Sequence, residues 1–242
     1  VGLKFQIFTL LYYFKAITIN YQQMSVTILT LVIGEDYRTG LREALHSKVD
    51  YAAKQGYTYI QGGEEHWDRD RPIPWSKIPF VLAVMKSLPE GALLWLSDAD
   101  VYITNPTIRL EDCMVPLLPA NKDLLMTLDA CGHINSGNIL FRNTAWMRAF
   151  WEKVWQKTDY LYHVWWENAA MIKVLDENEE DFAKTEITAQ HKKFNAFLRG
   201  LEGQPLWEQG DFLVHFAGVY DPKEIASLIS QIRNGQTPRL QM

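Results

Sequence analysis

One short run constrains this chain more than any other: Leu93-Leu94-Trp95-Leu96-Ser97-Asp98-Ala99-Asp100-Val101-Tyr102-Ile103. It opens with four large apolar residues and no alternation. A strand with one wet face alternates, whereas a strand buried on both faces does not, and such strands sit in the middle of parallel sheets. The run therefore needs packed layers on both sides. It then turns abruptly acidic. Asp98 and Asp100 lie two apart, so an extended backbone aims both carboxylates to one side. Open α/β sheets bind ligands beyond the carboxyl ends of their strands. Two carboxylates there form a hard oxygen site, suited to Mg²⁺ or Mn²⁺ carrying phosphate oxygens.

The spacing alone is weak, since a chain this long contains about one Asp-x-Asp by chance. Asp68-Arg69-Asp70, beside Pro72 and Pro74, is such a decoy and reads as solvated surface. The pair at 98 and 100 differs because a buried strand delivers it, and buried carboxylates are costly unless paired or metal-bound. The plain alternative is a turn or capping pair ahead of Asn105-Pro106.

The other elements alternate between two periods. Ser25 to Gly34 is rich in β-branched residues and reads as the first buried strand, leading into a polar loop, Glu35-Asp36-Tyr37-Arg38. Such a first loop commonly receives base and ribose, so Tyr37 is a candidate for stacking and Arg38 for phosphate contact. Helical spacing runs from Thr39 to Gln55 and stops at Gly56. Tyr57 to Ile60 is a short strand. Ser76 reads as the N-cap of a helix reaching about Leu88. Leu124 to Leu128 is a strand. Ile134-Asn135-Ser136-Gly137-Asn138 leads into another at Ile139 to Arg142, with Gly137 allowing close backbone approach to a ligand. Helices follow from Asn143-Thr144 to Lys157 and from Trp166 to about Leu175. Phe212 to Phe216 is a late strand, and Pro222 to about Arg233 is an amphipathic helix. This alternation predicts an α/β fold: one mixed, mostly parallel sheet flanked by helices.

With 48% hydrophobic residues the chain can build one substantial core. A net charge of −5 argues against a nucleic-acid binder. Cys113 and Cys131 form no CxxC pattern or disulfide framework. Residues 1–23 are read as an N-terminal extension to a domain spanning 24–242. The apolar stretch from Phe5 to Phe14 is shorter than the roughly 20 residues of a membrane span. An anchor remnant, a surface segment and a natural start at Met24 all stay open.

Polar residues at several strand ends complete a candidate site. His215 follows a late apolar run, and a neutral imidazole is a good third ligand for Mn²⁺ beside Asp98 and Asp100. Asn135, Ser136 and Asn138 offer groups for sugar hydroxyls. Glu167, preceded by Trp165 and Trp166, is either a carboxylate facing a sugar or a helix-start acid favoured by the dipole.

Seven stretches in order resemble glycosyltransferase family 34, the retaining galactosyl-, mannosyl- and xylosyltransferases. They are Lys48-Val49-Asp50-Tyr51-Ala52 with Gln55-Gly56-Tyr57; Trp75-Ser76-Lys77; Trp95 to Asp100 with Ile103 and Asn105-Pro106; Asn135-Ser136-Gly137 with Phe141-Arg142-Asn143; Trp166-Glu167-Asn168-Ala169; Gln190 with Phe194-Asn195; and His215-Phe216-Ala217-Gly218. The resemblance implies a GT-A fold, a nucleotide-sugar donor with UDP favoured over GDP, a saccharide acceptor, and Mn²⁺ or Mg²⁺ held by Asp98, Asp100 and His215. It implies catalytic roles for Glu167 and Asn168, and donor or cofactor contacts at Tyr37, Arg38, Lys77, Asp98, Ala99, Asn135, Ser136, Gly137 and Gly218. It also implies the Golgi lumen behind a type II anchor, against a cytoplasmic protein if Met24 is the start. A homodimer stays open. Two positions depart from the family. Asn168 stands where relatives usually carry Gln. Val219-Tyr220 stand where plant relatives carry Cys-Lys, the lysine touching the diphosphate; Lys223 is the nearest substitute. Two other readings remain: a nucleotidyltransferase that makes nucleotide sugars, although Gly34-Glu35-Asp36-Tyr37-Arg38 lacks its glycine-rich basic loop, and a catalytically silent carbohydrate-binding relative.

Overall fold

The computed structural model describes residues 26–241; the extension at 1–23 lies outside them. A six-stranded sheet has the order β2-β1-β3-β6-β5-β7. Its strands are β1 (Thr27–Leu31), β2 (Thr58–Gly62), β3 (Leu93–Ser97), β5 (Leu124–Leu128), β6 (Ile134–Arg142) and β7 (Thr185–Thr188). β1 pairs in parallel with β2 and β3, and β5 with β7, while β6 runs antiparallel between β3 and β5. Beside it lies an antiparallel ribbon of β4 (Val101–Ile103) and β8 (Leu213–His215). The helices are α1 (Glu35–Gly40), α2 (Arg42–Gln55), α3 (Lys77–Ser87), α4 (Leu110–Cys113), α5 (Ala145–Trp155), α6 (Trp166–Glu177), α7 (Glu179–Ala183) and α8 (Pro222–Arg233).

β3 behaves as its unbroken apolar run demands. Leu94 and Leu96 join one core with Phe80, Phe150, Trp151 and Met171 from α3, α5 and α6. Leu93 and Trp95 join a second core with Tyr51 of α2 and Val101 and Leu213 of the ribbon. Successive side chains point to opposite faces, so both layers exist and every residue of β3 is buried. A third cluster packs Ile225, Leu228, Ile229 and Ile232 of α8 against Leu41, Phe216 and Val219.

Three local expectations are corrected. The polar segment after β1 is not a loop, because α1 begins at Glu35 with Glu35 and Asp36 in its first turn, where acids complement the helix dipole. Ser76 does not cap α3; it closes a 3₁₀ turn at Ile73–Ser76 and itself takes a helical conformation. The small polar residues at 134–138 are already part of β6. Gly56 does end α2, in the left-handed conformation (φ 75°) that a glycine tolerates best.

Candidate functional site

β3 stops at Ser97, and Asp98 to Asp100 form a turn before β4. The two carboxylates therefore converge through a tight turn, closed by Val101 N donating to Asp98 O at 3.2 Å, rather than along a straight strand. β4 then pairs with β8 in a register that sets Val101 opposite His215. Phe216 N donates to Asp100 O at 3.1 Å. This pairing brings a late imidazole to the acidic turn. Asp98, Asp100 and His215 each present a donor atom, all within 4.8 Å of one another, and His215 Nε2 lies 3.5 Å from Asp100 Oδ1.

A chain of buried amides fixes the imidazole. The indole of Trp95 can only donate, and it does so to Asn138 Oδ1 at 3.1 Å. That leaves Asn138 Nδ2 to donate to Asn195 Oδ1 at 2.9 Å. Asn195 Nδ2 in turn donates to Asn135 Oδ1 at 2.9 Å, which also accepts from Gly137 N. Asn195 Oδ1 is thus an acceptor, and His215 Nδ1, 2.8 Å away, must carry the hydrogen. In the neutral ring that leaves a lone pair at Nε2, on the side facing Asp100. Two acceptors facing each other suit a cation between them, and the donor set fits a divalent ion that takes nitrogen and oxygen. Gly137 makes room for this ring: a Cβ there would lie 2.9 Å from His215 Nε2 and overlap the neighbouring ring carbon.

Lys77, at the first position of α3, bridges the acids. Its Nζ lies 2.8 Å from Asp98 Oδ1 and 2.7 Å from Glu167 Oε1. Burial pulls the Lys77 pKa down, but these two carboxylates outweigh it and hold the ammonium above its ordinary value. Glu167 is buried at the start of α6, and its Oε1 also accepts from Ser136 Oγ at 3.3 Å. Burial holds its pKa above the usual carboxylate range, against the pull of Lys77. Burial also works against ionised Asp100, yet the His215 imidazole when it carries a second proton, with Lys48 and Lys77, keeps it below the ordinary value. Lys48, fully buried on α2, donates to Ala99 O at 3.3 Å from beneath the turn. Desolvation lowers its pKa to about 7 even though Asp100 and Asp98 favour the charge. Trp166, just before Glu167, holds φ at 45°, a strained conformation for a bulky side chain.

The acidic turn, His215, Lys77 and Glu167 line one cavity of about 830 Å³. The structure places Tyr37, Lys77, Asp98, Ala99, Asp100, Asn135, Ser136, Gly137, Glu167, Asn168, His215 and Gly218 around it. The Tyr37 phenol is held protonated by burial and then by Asp100 and Asp98. Asn168 Nδ2 donates to Ile134 O at 2.9 Å, and its Oδ1 has no partner among the described residues. Three expectations fail. Arg38 is outside the cavity, gripped by Glu35 and Glu64 at 2.7–2.8 Å, because α1 turns it toward the loop after β2. Asn138 has no free group for a sugar, being fully buried in the amide chain. Lys223 is exposed on α8 and does not line the cavity. Arg199, which also lines the cavity, carries no motif in the sequence.

The model of the galactosyl transferase GMA12/MNN10 family matches residues 22–118 and 117–224. A curated relative, the probable alpha-1,2-galactosyltransferase gmh2 of Schizosaccharomyces pombe, is 29% identical over 74% of this chain and 60% of its own length. The probable xyloglucan 6-xylosyltransferase 3 of Arabidopsis thaliana is 29% identical over 47% of this chain and 25% of its own. This chain therefore spans less than two thirds of either relative. A solved glycosyltransferase, involved in the glycosylation of the major capsid of PBCV-1, superposes with a TM-score of 0.70 at 13% identity, covering 86% of this chain and 99% of that one. At this identity the likeness is one of fold, the GT-A type.

Proposed function

The chain belongs to the galactosyl transferase GMA12/MNN10 family, and from that premise we propose that it moves a hexose or pentose from a nucleotide sugar to a saccharide hydroxyl with retention. A UDP-sugar is preferred to a GDP-sugar as donor, and the reaction uses Mn²⁺ or Mg²⁺. One observation carries this reading: Asp98, Asp100 and His215 converge in the same cavity as buried Glu167. Those three residues would hold the ion, whose chemistry is Lewis-acid stabilisation of charge on the departing diphosphate.

The chain's own groups divide the remaining work. The amide chain keeps Nε2 of His215 available, and Lys77 balances Asp98 and Glu167. Glu167 is the carboxylate available to the reacting sugar, as nucleophile or as stabiliser of positive charge on the ring. Ile73, Val164, Trp165 and Tyr220 line the cavity and are exposed. Such a rim suits the apolar C–H faces of an acceptor sugar.

The test is release of nucleoside diphosphate from UDP-galactose, UDP-xylose, UDP-glucose and GDP-mannose with Mn²⁺. Asp98→Asn and Asp100→Asn should each reduce turnover to background, and unchanged turnover removes the metal assignment. Glu167→Gln should lose about a hundredfold or more; a near-normal rate removes the nucleophile role.

A further inference from the structure

A diphosphate brings negative charge into a cavity already lined by Asp98, Asp100, Asp129 and Glu167. Among the described residues, two side chains of fixed positive charge line that cavity, Lys77 and Arg199. Lys77 is committed to Asp98 and Glu167. Arg199 is different. Among the described residues no carboxylate pairs with it, and its Nη2 donates to a backbone carbonyl, Ala217 O, at 3.0 Å. A guanidinium has five N–H donors in a planar fork, so most remain available for a bidentate anion.

Local structure explains why it stands there. The segment from Asn195 to Arg199 lies beside the end of β8, with His215 N donating to Ala196 O at 2.8 Å. Asn195 orients His215, the Phe197 ring lies 5.5 Å from the imidazole, and Arg199 reaches Ala217. Of these three alternate residues, two meet the His215 ring and the third reaches the backbone just beyond β8. Gly218 completes the seat, because a Cβ there would collide with Arg199 Nη2. The arginine and the glycine thus fit each other two to three residues beyond His215.

We propose that Arg199 binds the diphosphate of the donor, supplying from a separate segment the positive charge that Val219-Tyr220 do not. This rests on the nucleotide-sugar reading and names the residue that anchors the leaving group. Arg199→Gln keeps a donor for Ala217 O and removes the charge; Arg199→Lys keeps the charge and loses the fork. Calorimetry would measure Mn²⁺ alone, then UDP, GDP and inorganic pyrophosphate in the presence of Mn²⁺, on the wild type and both variants, with circular dichroism as the folding control. The expected result is an unchanged Mn²⁺ affinity, with UDP and pyrophosphate weakened about tenfold to a hundredfold in Arg199→Gln and less in Arg199→Lys. UDP binding within twofold of wild type in Arg199→Gln overturns the assignment and leaves the donor reading standing. An equal loss for Mn²⁺ alone also overturns it, since the residue would then only support the acidic turn. Wild-type protein that binds neither UDP nor GDP removes the donor reading and the assignment together.

Discussion

Trp95 determines which nitrogen of His215 carries a proton, although the two belong to different sheets. The indole lies in the core, and its single donor sets the polarity of Asn138, then Asn195, then the imidazole. This gives a prediction that a merely structural role would not make. Asn195→Leu keeps the volume and removes the acceptor, so Mn²⁺ affinity should fall about tenfold to a hundredfold, the usual cost of losing an outer partner of a histidine ligand. The ¹⁵N shifts of His215 should show Nδ1 protonated in the wild type and a mixture of tautomers in the variant. Wild-type affinity with a single Nδ1–H tautomer in the variant would refute the relay. At this scale the residue types were legible but their partners were not. The acidic pair, His215 and Glu167 stood out as chemistry at the ends of apolar runs. Asn138 looked like a sugar contact because an amide shows no sign in sequence of whether it will be buried. Arg199 was passed over because a lone arginine beyond a matched Phe-Asn pair carries no pattern.

Elements were legible wherever packing and propensity agree. Leu124–Leu128 and Pro222–Arg233 fall where periodicity puts them. Legibility failed at short segments such as α1, which has no buried residue and hence no apolar stripe to read. It also failed for long-range ties. The end of α3 is held not by its own cap but by Asn143, which precedes α5. Asn143 Nδ2 lies 2.9–3.0 Å from the carbonyls of Met85, Leu88 and Pro89, and Arg148 donates to its Oδ1 at 2.7 Å. Asn143→Ala leaves these buried groups unsatisfied and should cost about 1–3 kcal/mol in urea denaturation. Lys77 sits at the other end of α3, so Mn²⁺ affinity should stay within threefold. A cost below about 0.5 kcal/mol, the level of an ordinary surface change, would show that α3 does not depend on this tie.

Over the whole molecule, the three cores share one sheet and its ribbon, and the proposed ion site straddles them. Asp98 and Asp100 leave β3, which contributes to the first two cores. His215 ends β8, and its neighbour Phe216 belongs to the third core with α8. This arrangement was legible as an α/β sheet with an acidic strand end. That a second, two-stranded sheet carries the histidine was not, because three-residue strands leave no period to detect. In this architecture an ion bound at the proposed site would act as a clamp across the molecule. A ligand that binds only the folded state adds about 2.7 kcal/mol at a hundred times its dissociation constant, or roughly 5–10 °C in Tm for a domain of this size. Mn²⁺ should therefore raise a single, cooperative unfolding transition by that amount, and chelation should reverse the rise. Asp100→Asn should show no rise at the same Mn²⁺ concentration, because removing one carboxylate leaves two donors. Two separate transitions, only one of them shifted by Mn²⁺, would mean that the cores unfold independently and that the ion holds one of them rather than joining all three.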